Sequence, residues 1–266
     1  IYKKLIKQDP SLIFKPRVKI FDLFQKNIKK INGKVLDIGA GSGYASIWLA
    51  LNTEANEIVS IESSEICVKE LIPQNVKYFK TENKISILKG NFQELNFENY
   101  FDFIVSFGSI HHSSCLYETM SALSKYLKND GYLIMNEPSM SNFTSNEEYI
   151  KKYETEEIIE GIKIKNHERN DKFFRVSEYV TAANYNGFDL KYLEELDFPK
   201  KFNWYKKVFT FLKLILTFNF NKLIRSFQQN LNKIQYQNHS SKPKSKIYFF
   251  QKKITTYIPH LWKKLI

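Results

Sequence analysis

Two cysteines in 266 residues cannot form a disulfide framework, and Cys67 and Cys115 lack the paired spacing of a metal site. No metal ion is expected, and radical chemistry built on a cluster-binding cysteine triad is excluded. Acidic residues are in deficit, 28 against 40 basic, which leaves a formal charge of +12. That balance suggests an anionic partner (nucleic acid, phosphorylated metabolite or acidic membrane surface) or a general lysine bias. Long apolar runs are missing. Residues 208–220 come nearest, but Lys213 breaks them and they are too short to span a bilayer. With disulfides not expected, a reducing cytoplasm is the expected location, and the opening IYKKLIKQDPSLIF shows no signal-peptide apolar core. Low-complexity sequence is limited to the short HSSKPKSK, and no internal repeat occurs.

What is present is an alternating texture. Hydrophobic residues make up 43%, enough for one substantial α/β core. In the lead-in 1–33, Val18, Phe21, Phe24, Ile28 and Ile31 recur at helical spacing. Strands are predicted at 34–38, 57–61, 85–89, 101–107 and 131–137, with helices around 43–52, 64–71 and 115–128. The pattern predicts an α/β fold whose parallel sheet is covered on both faces. After Pro138 the texture changes. Residues 139–200 read as acceptor-side helices and a sixth strand, beginning with a charged helical stretch over 146–165. The region 201–243 reads as a basic amphipathic helical insertion, and 244–266 as a last strand and tail. Within the insertion Trp204, Val208, Leu212, Ile215, Leu223, Phe227, Leu231 and Ile234 keep helical intervals beside several lysines. Such a helix packs on its own domain or a sister subunit, which would make a homo-oligomer. Alternatively it lies on the inner membrane surface.

Glycine is scarce, nine in all, yet three fall at 39, 41 and 43, in VLDIGAGSGYASIWLAL. A glycine-rich turn between strand and helix lets backbone N–H groups approach a ligand. A dinucleotide fingerprint would need its third glycine at position 44, where Tyr44 stands. The lack of a G-K-[ST] order excludes a P-loop. Asp37, two residues before the first glycine, suits a ligand carrying positive charge. S-adenosylmethionine, with its ammonium and sulfonium, is such a ligand.

Over residues 34 to about 138 the sequence resembles the class I S-adenosylmethionine-dependent methyltransferases. The resemblance implies a doubly wound, mostly parallel seven-stranded sheet of the Rossmann-like methyltransferase kind, with the insertion between its last two strands. It implies cofactor contacts from Asp37, Gly39, Ala40, Gly41 and Gly43, and from Glu62 and Ser63 in EIVSIESS, where an acid binds the ribose hydroxyls. KGNFQELNF matches the adenine segment. It has Asn91 where the family usually has Asp, and Phe92 is placed to line the ring. In DFIVSFGSIHH, Phe107 and the histidine pair end the fourth strand beside the methyl group.

Methyl transfer needs a nucleophile aligned behind the S–CH3 bond, and a hydroxyl acceptor must also lose a proton. His111 and His112 lie at the sheet's carboxyl edge and are the candidate bases, or they cap the following helix or contact the cofactor. Glu137 either orients an imidazole, contacts the acceptor or simply ends its strand. The later run NHERNDKFFRVSEY gathers His167, Arg169, Lys172, Arg175 and Tyr179, and arginine forks suit phosphate or carboxylate. That run is similar to methyltransferases of bacterial capsule and surface-glycan genes. The resemblance implies O-methylation of an anionic sugar, nucleotide-sugar or phosphoramidate-type precursor in polysaccharide biosynthesis. His167, Arg169, Arg175, Tyr179 and Glu137 are then the acceptor contacts. Two other readings stay open: an RNA methyltransferase, motivated by charge and 15% aromatics, and a cofactor-binding scaffold without turnover. No RNA-binding module is recognisable, so a nucleic-acid partner is not expected.

Overall fold

A computed structural model describes residues 6–14, 18–27, 30–154, 156–159, 162–165, 172–195 and 244–253. Five parallel strands come first: β1 (Asn32–Ile38), β2 (Glu54–Glu62), β3 (Ile85–Lys89), β4 (Phe101–Phe107) and β5 (Leu127–Ser139). A separate two-stranded hairpin, β6 (Glu156–Ile159) and β7 (Ile162–Lys165), follows. β8 (Phe188–Glu195) and β9 (Lys244–Lys252) complete the main sheet, in the order β3-β2-β1-β4-β5-β9-β8. β9 runs antiparallel to both β5 and β8. The predicted seven-stranded, mostly parallel sheet is therefore present. Chain order reverses between β1 and β4, and the crevice at such a switch point is where open α/β sheets bind ligands.

The helices are α1 (Val18–Asn27), α2 (Tyr44–Asn52), α3 (Ile72–Tyr78), α4 (Leu116–Tyr126), α5 (Asn146–Tyr153) and α6 (Val176–Tyr185). Strand side chains alternate between faces. Val35, Ile58 and Val105 join one apolar cluster with Phe21, Ile47 and Ile72; Leu36, Val59 and Ile104 join the other with Met120, Tyr179 and Phe250. On α4, Leu116, Thr119, Met120, Leu123 and Tyr126 are buried, the 3–4 spacing of one helical face. α1 lays Phe21 flat on Trp48 at 4.5 Å and edge-on to Tyr44 and Phe107.

Two predicted elements are corrected. The helical stretch expected over 146–165 stops at Tyr153, and residues 156–159 pair with 162–165 as β6 and β7. Ile158, Ile159, Ile162 and Ile164 are β-branched and flank Gly161, a strand-turn-strand composition that the interleaved charges disguise. The helix expected at 64–71 runs on to Tyr78 through a π turn at Cys67–Leu71. Within that turn Ile72 N–H donates to Cys67 O, five residues back, and Pro73, which has no N–H, follows directly. The 201–243 insertion lies outside the described residues. Among the described residues no helix is long and apolar enough to cross a membrane.

Candidate active site

A cavity of about 860 Å³ opens at the carboxyl ends of β1, β2 and β4. Its floor is the glycine turn. Gly39, Gly41 and Gly43 hold φ of 63°, 57° and 76°, the left-handed region that side chains resist. Gly39 is fixed by space as well, because a Cβ there would run into the Ser109 hydroxyl. The turn delivers the chain into α2, whose first residue, Tyr44, lines the cavity.

Three buried carboxylates organise the surroundings. Glu62 accepts from Gly41 N–H at 2.8 Å and from Ser64 N–H at 2.9 Å, so it ties the glycine turn to the end of β2. It lines the cavity with Ser63, Gly39, Ala40 and Gly41. Asp37 lies lower and is 2% exposed. One of its oxygens accepts from Ser46 N–H at 3.1 Å and from the Ser46 hydroxyl at 2.6 Å. Burial pushes its carboxyl up to about 6, against the opposing pull of the Ser46 hydrogen bonds; the charge of Glu62 adds to the rise. Asp37 is not among the residues that line the cavity. It is placed beneath the turn and holds the start of α2.

Glu137, fully buried at the end of β5, is the third. Its oxygens accept from the Ser106 hydroxyl at 2.7 Å, from the N–H groups of Ser109, Ile110 and His111 at 3.0–3.3 Å, and face His111 Nδ1 at 2.8 Å. Burial alone would raise its carboxyl. His111, Ser106 and Ile110 outweigh that and hold it below the usual range.

At the other end, Asn91, Phe92 and Gln93 line the wall, as do Phe107, His112, Ser113 and Ser114 nearer β4. His111 sits behind, 9% exposed, with its ring 4.0 Å from that of His112. Tyr44 and Phe107 lie nearly parallel at 6.1 Å and form an aromatic flank beside His112. Asn91 spends one lone pair of its carbonyl on Gln93 N–H, and the other can serve a ligand amine.

Residues 29–179 match the family described as methyltransferase domain. The chain belongs to that family. Among curated proteins it is similar to the sterol 24-C-methyltransferase of Candida albicans, 29% identical over 191 residues, covering 70% of this chain and 48% of that protein. It is also similar to the malonyl-[acyl-carrier protein] O-methyltransferase of Priestia megaterium, 29% identical over 102 residues, covering 38% of this chain and 35% of that one. The chain thus spans about half or less of the length of these relatives. Among solved structures, geranyl diphosphate C-methyltransferase from Streptomyces coelicolor, held with S-adenosylhomocysteine, aligns with a TM-score of 0.62 at 11% identity, covering 94% of this chain and 83% of that one. That likeness shows the fold. Residues 29–179 thus form a methyltransferase domain, and the glycine turn with the acid of Glu62 fits S-adenosylmethionine as its methyl donor.

The acceptor-side expectations fare differently within this methyltransferase. Glu137 has no face left for an acceptor: it is 0% exposed, and its oxygens are filled by the 106–111 segment. Arg175 is not a clamp either, because its guanidinium donates to Thr144 O and Asn146 Oδ1 and stacks over Tyr149. Tyr179 is fully buried against Phe174 and Tyr248, away from the cavity wall, and its hydroxyl finds no partner among the described residues. His167 and Arg169 lie outside the described residues. From the same run Lys172 braces the wall without lining the cavity: its ammonium donates to Ser113 O at 2.6 Å and Ser114 O at 3.0 Å, and its N–H to His111 O.

Proposed function

We propose that this methyltransferase acts on oxygen, with His112 as the base that takes the acceptor's proton. The observation that carries the reading is the pairing of His111 Nδ1 with Glu137 Oε2 at 2.8 Å, which braces from beneath the turn that presents His112 to the cavity. A turn held by four hydrogen bonds to one carboxylate gives the imidazole a fixed position, as proton abstraction in line with methyl transfer requires. In this reading Glu62 takes the ribose hydroxyls, Asn91 and Phe92 take the adenine, and Asp37 offers its negative charge from below to the sulfonium and ammonium. The cofactor supplies an electrophilic methyl group. The chain's own part is to hold the acceptor oxygen against it, keep out water and receive the proton.

For the acceptor, the described cavity wall has no Lys or Arg side chain, and its methyl end is flanked by Tyr44 and Phe107. That wall favours a hydroxyl compound presenting an apolar or sugar-ring face. An anionic glycan precursor would depend on Arg169 and His167. Consumption of S-adenosylmethionine with a panel of hydroxyl acceptors, nucleotide sugars among them, tests the reading. His112→Ala should cut turnover by roughly 10²–10⁴-fold while affinity for S-adenosylhomocysteine stays within a factor of about two. His111→Ala should lower thermal stability as well as turnover. A His112→Ala enzyme at wild-type rate would overturn the base assignment.

A further inference from the structure

Behind the cavity wall one buried hydroxyl joins the two ends of the site. Thr119, on the inner face of α4, is 0% exposed. Gln93 Nε2 donates to its Oγ1 at 2.6 Å, Ser113 Oγ stands 2.5 Å from the same oxygen, and the Thr119 hydroxyl donates to Cys115 O at 3.1 Å. A hydroxyl has one proton and two lone pairs. With the proton given to Cys115, the lone pairs are taken by Gln93 and by the Ser113 hydroxyl, so the oxygen is saturated.

The partners come from opposite ends of the cavity. Gln93 follows Asn91 and Phe92, and Ser113 follows His112; both line the wall. Residues 90–99 have no helix or strand of their own. Between 91 and 97 the segment is tied to the rest by Gln93 on Thr119 and by Leu95 N–H on the Tyr126 hydroxyl at 3.0 Å. Thr119 and Tyr126 are seven residues apart on α4, two turns along one face. One rigid helix therefore holds the adenine-side segment and, through Thr119, the turn that ends at Ser113.

We propose that Thr119 is a positioning residue that couples the two ends. Seating the cofactor against residues 91–93 keeps the Gln93 amide on Thr119, which holds Ser113 and with it the His112 turn. The inference rests on placing adenine at Asn91 and Phe92, and it is independent of the acceptor's identity.

Hydrogen–deuterium exchange of the full chain, with and without S-adenosylhomocysteine, tests it in wild type, Thr119→Val, Thr119→Ser and Gln93→Leu. In wild type the ligand should slow exchange over both 91–95 and 112–115. Thr119→Val should keep the protection at 91–95 and reduce that at 112–115 by roughly three- to tenfold, the scale of one lost hydrogen bond. Thr119→Ser, which restores the hydroxyl, should return it. Gln93→Leu cuts the same chain at a half-buried position outside the helix, so it gives the answer even where the valine variant folds poorly. Ligand-induced protection of 112–115 at the wild-type level in Gln93→Leu or in a folded Thr119→Val protein overturns the coupling. Absence of protection at 91–95 in wild type would instead refute the adenine placement, and the coupling with it.

Discussion

Asp37→Asn should stabilise the cofactor-free protein at neutral pH and weaken its hold on S-adenosylmethionine. Asp37 is buried and its carboxyl is displaced from an ordinary 3.8 up to about 6. The folded state therefore favours the protonated form, and carrying the charge costs about 3 kcal/mol above pH 6. The sign follows from the raised value: stability linked to this group is fully present below about 3.8 and lost as pH rises through about 6. Asparagine keeps an oxygen for the Ser46 N–H and hydroxyl while removing the charge. In a chain of this size about 3 kcal/mol is worth roughly 5–10 °C in midpoint. Thermal melts of both proteins without ligand should show that gap at pH 7.5, shrinking to about a third by pH 4.5. Titration with S-adenosylmethionine should show the reverse order, the variant binding roughly tenfold more weakly for want of a negative charge beneath a cationic ligand. A variant that melts at or below wild type at pH 7.5, or a gap that does not change with pH, would refute the reasoning. The charge would then be fully repaid by its surroundings.

Glu137→Gln should instead destabilise, by roughly 3–5 kcal/mol at pH 7, since it leaves His111 and several buried N–H groups facing an amide. Because the Glu137 carboxyl is held low, that difference should persist at neutral pH and narrow only as pH falls below 4.5, which denaturant titrations at two pH values would show. Arg175→Lys should lower the melting point by a few degrees, about 1 kcal/mol, through lost contacts to Thr144 and Asn146, and leave the acceptor KM unchanged. A rise in KM would return Arg175 to the acceptor site.

The sheet was legible in the sequence because its strands announce themselves one at a time. β3 and β4 were placed residue for residue, each an apolar run of ordinary strand length beside a turn. The hairpin at 156–165 was not, because glutamates and lysines between its isoleucines imitate the surface of a charged helix. At the site, the glycine turn could be read because spacing within one strand-turn-helix unit is local, and Glu62 because it ends the very next strand. The brace of Glu137 on His111 joins residues 26 apart, and Gln93 on Thr119 joins residues equally distant. Pairings of that range depend on which strands become neighbours, and composition does not encode it. Arg175 shows the converse hazard. A guanidinium in a basic run looks like a ligand hook until the Thr144 carbonyl beside it is seen.

β8 and β9 are hydrogen-bonded neighbours, and Glu195 near the end of one pairs with Lys246 near the start of the other. The chain thus leaves the sheet and rejoins it at almost the same point, one strand spacing apart, with about fifty residues in between. To the sheet, only the two ends of that connection matter. Lengthening it carries only a slowly growing entropic cost, and its two ends stay fixed by the β8–β9 ladder. A change in the length of that connection therefore leaves the strands that carry the cofactor turn and the histidine turn in register.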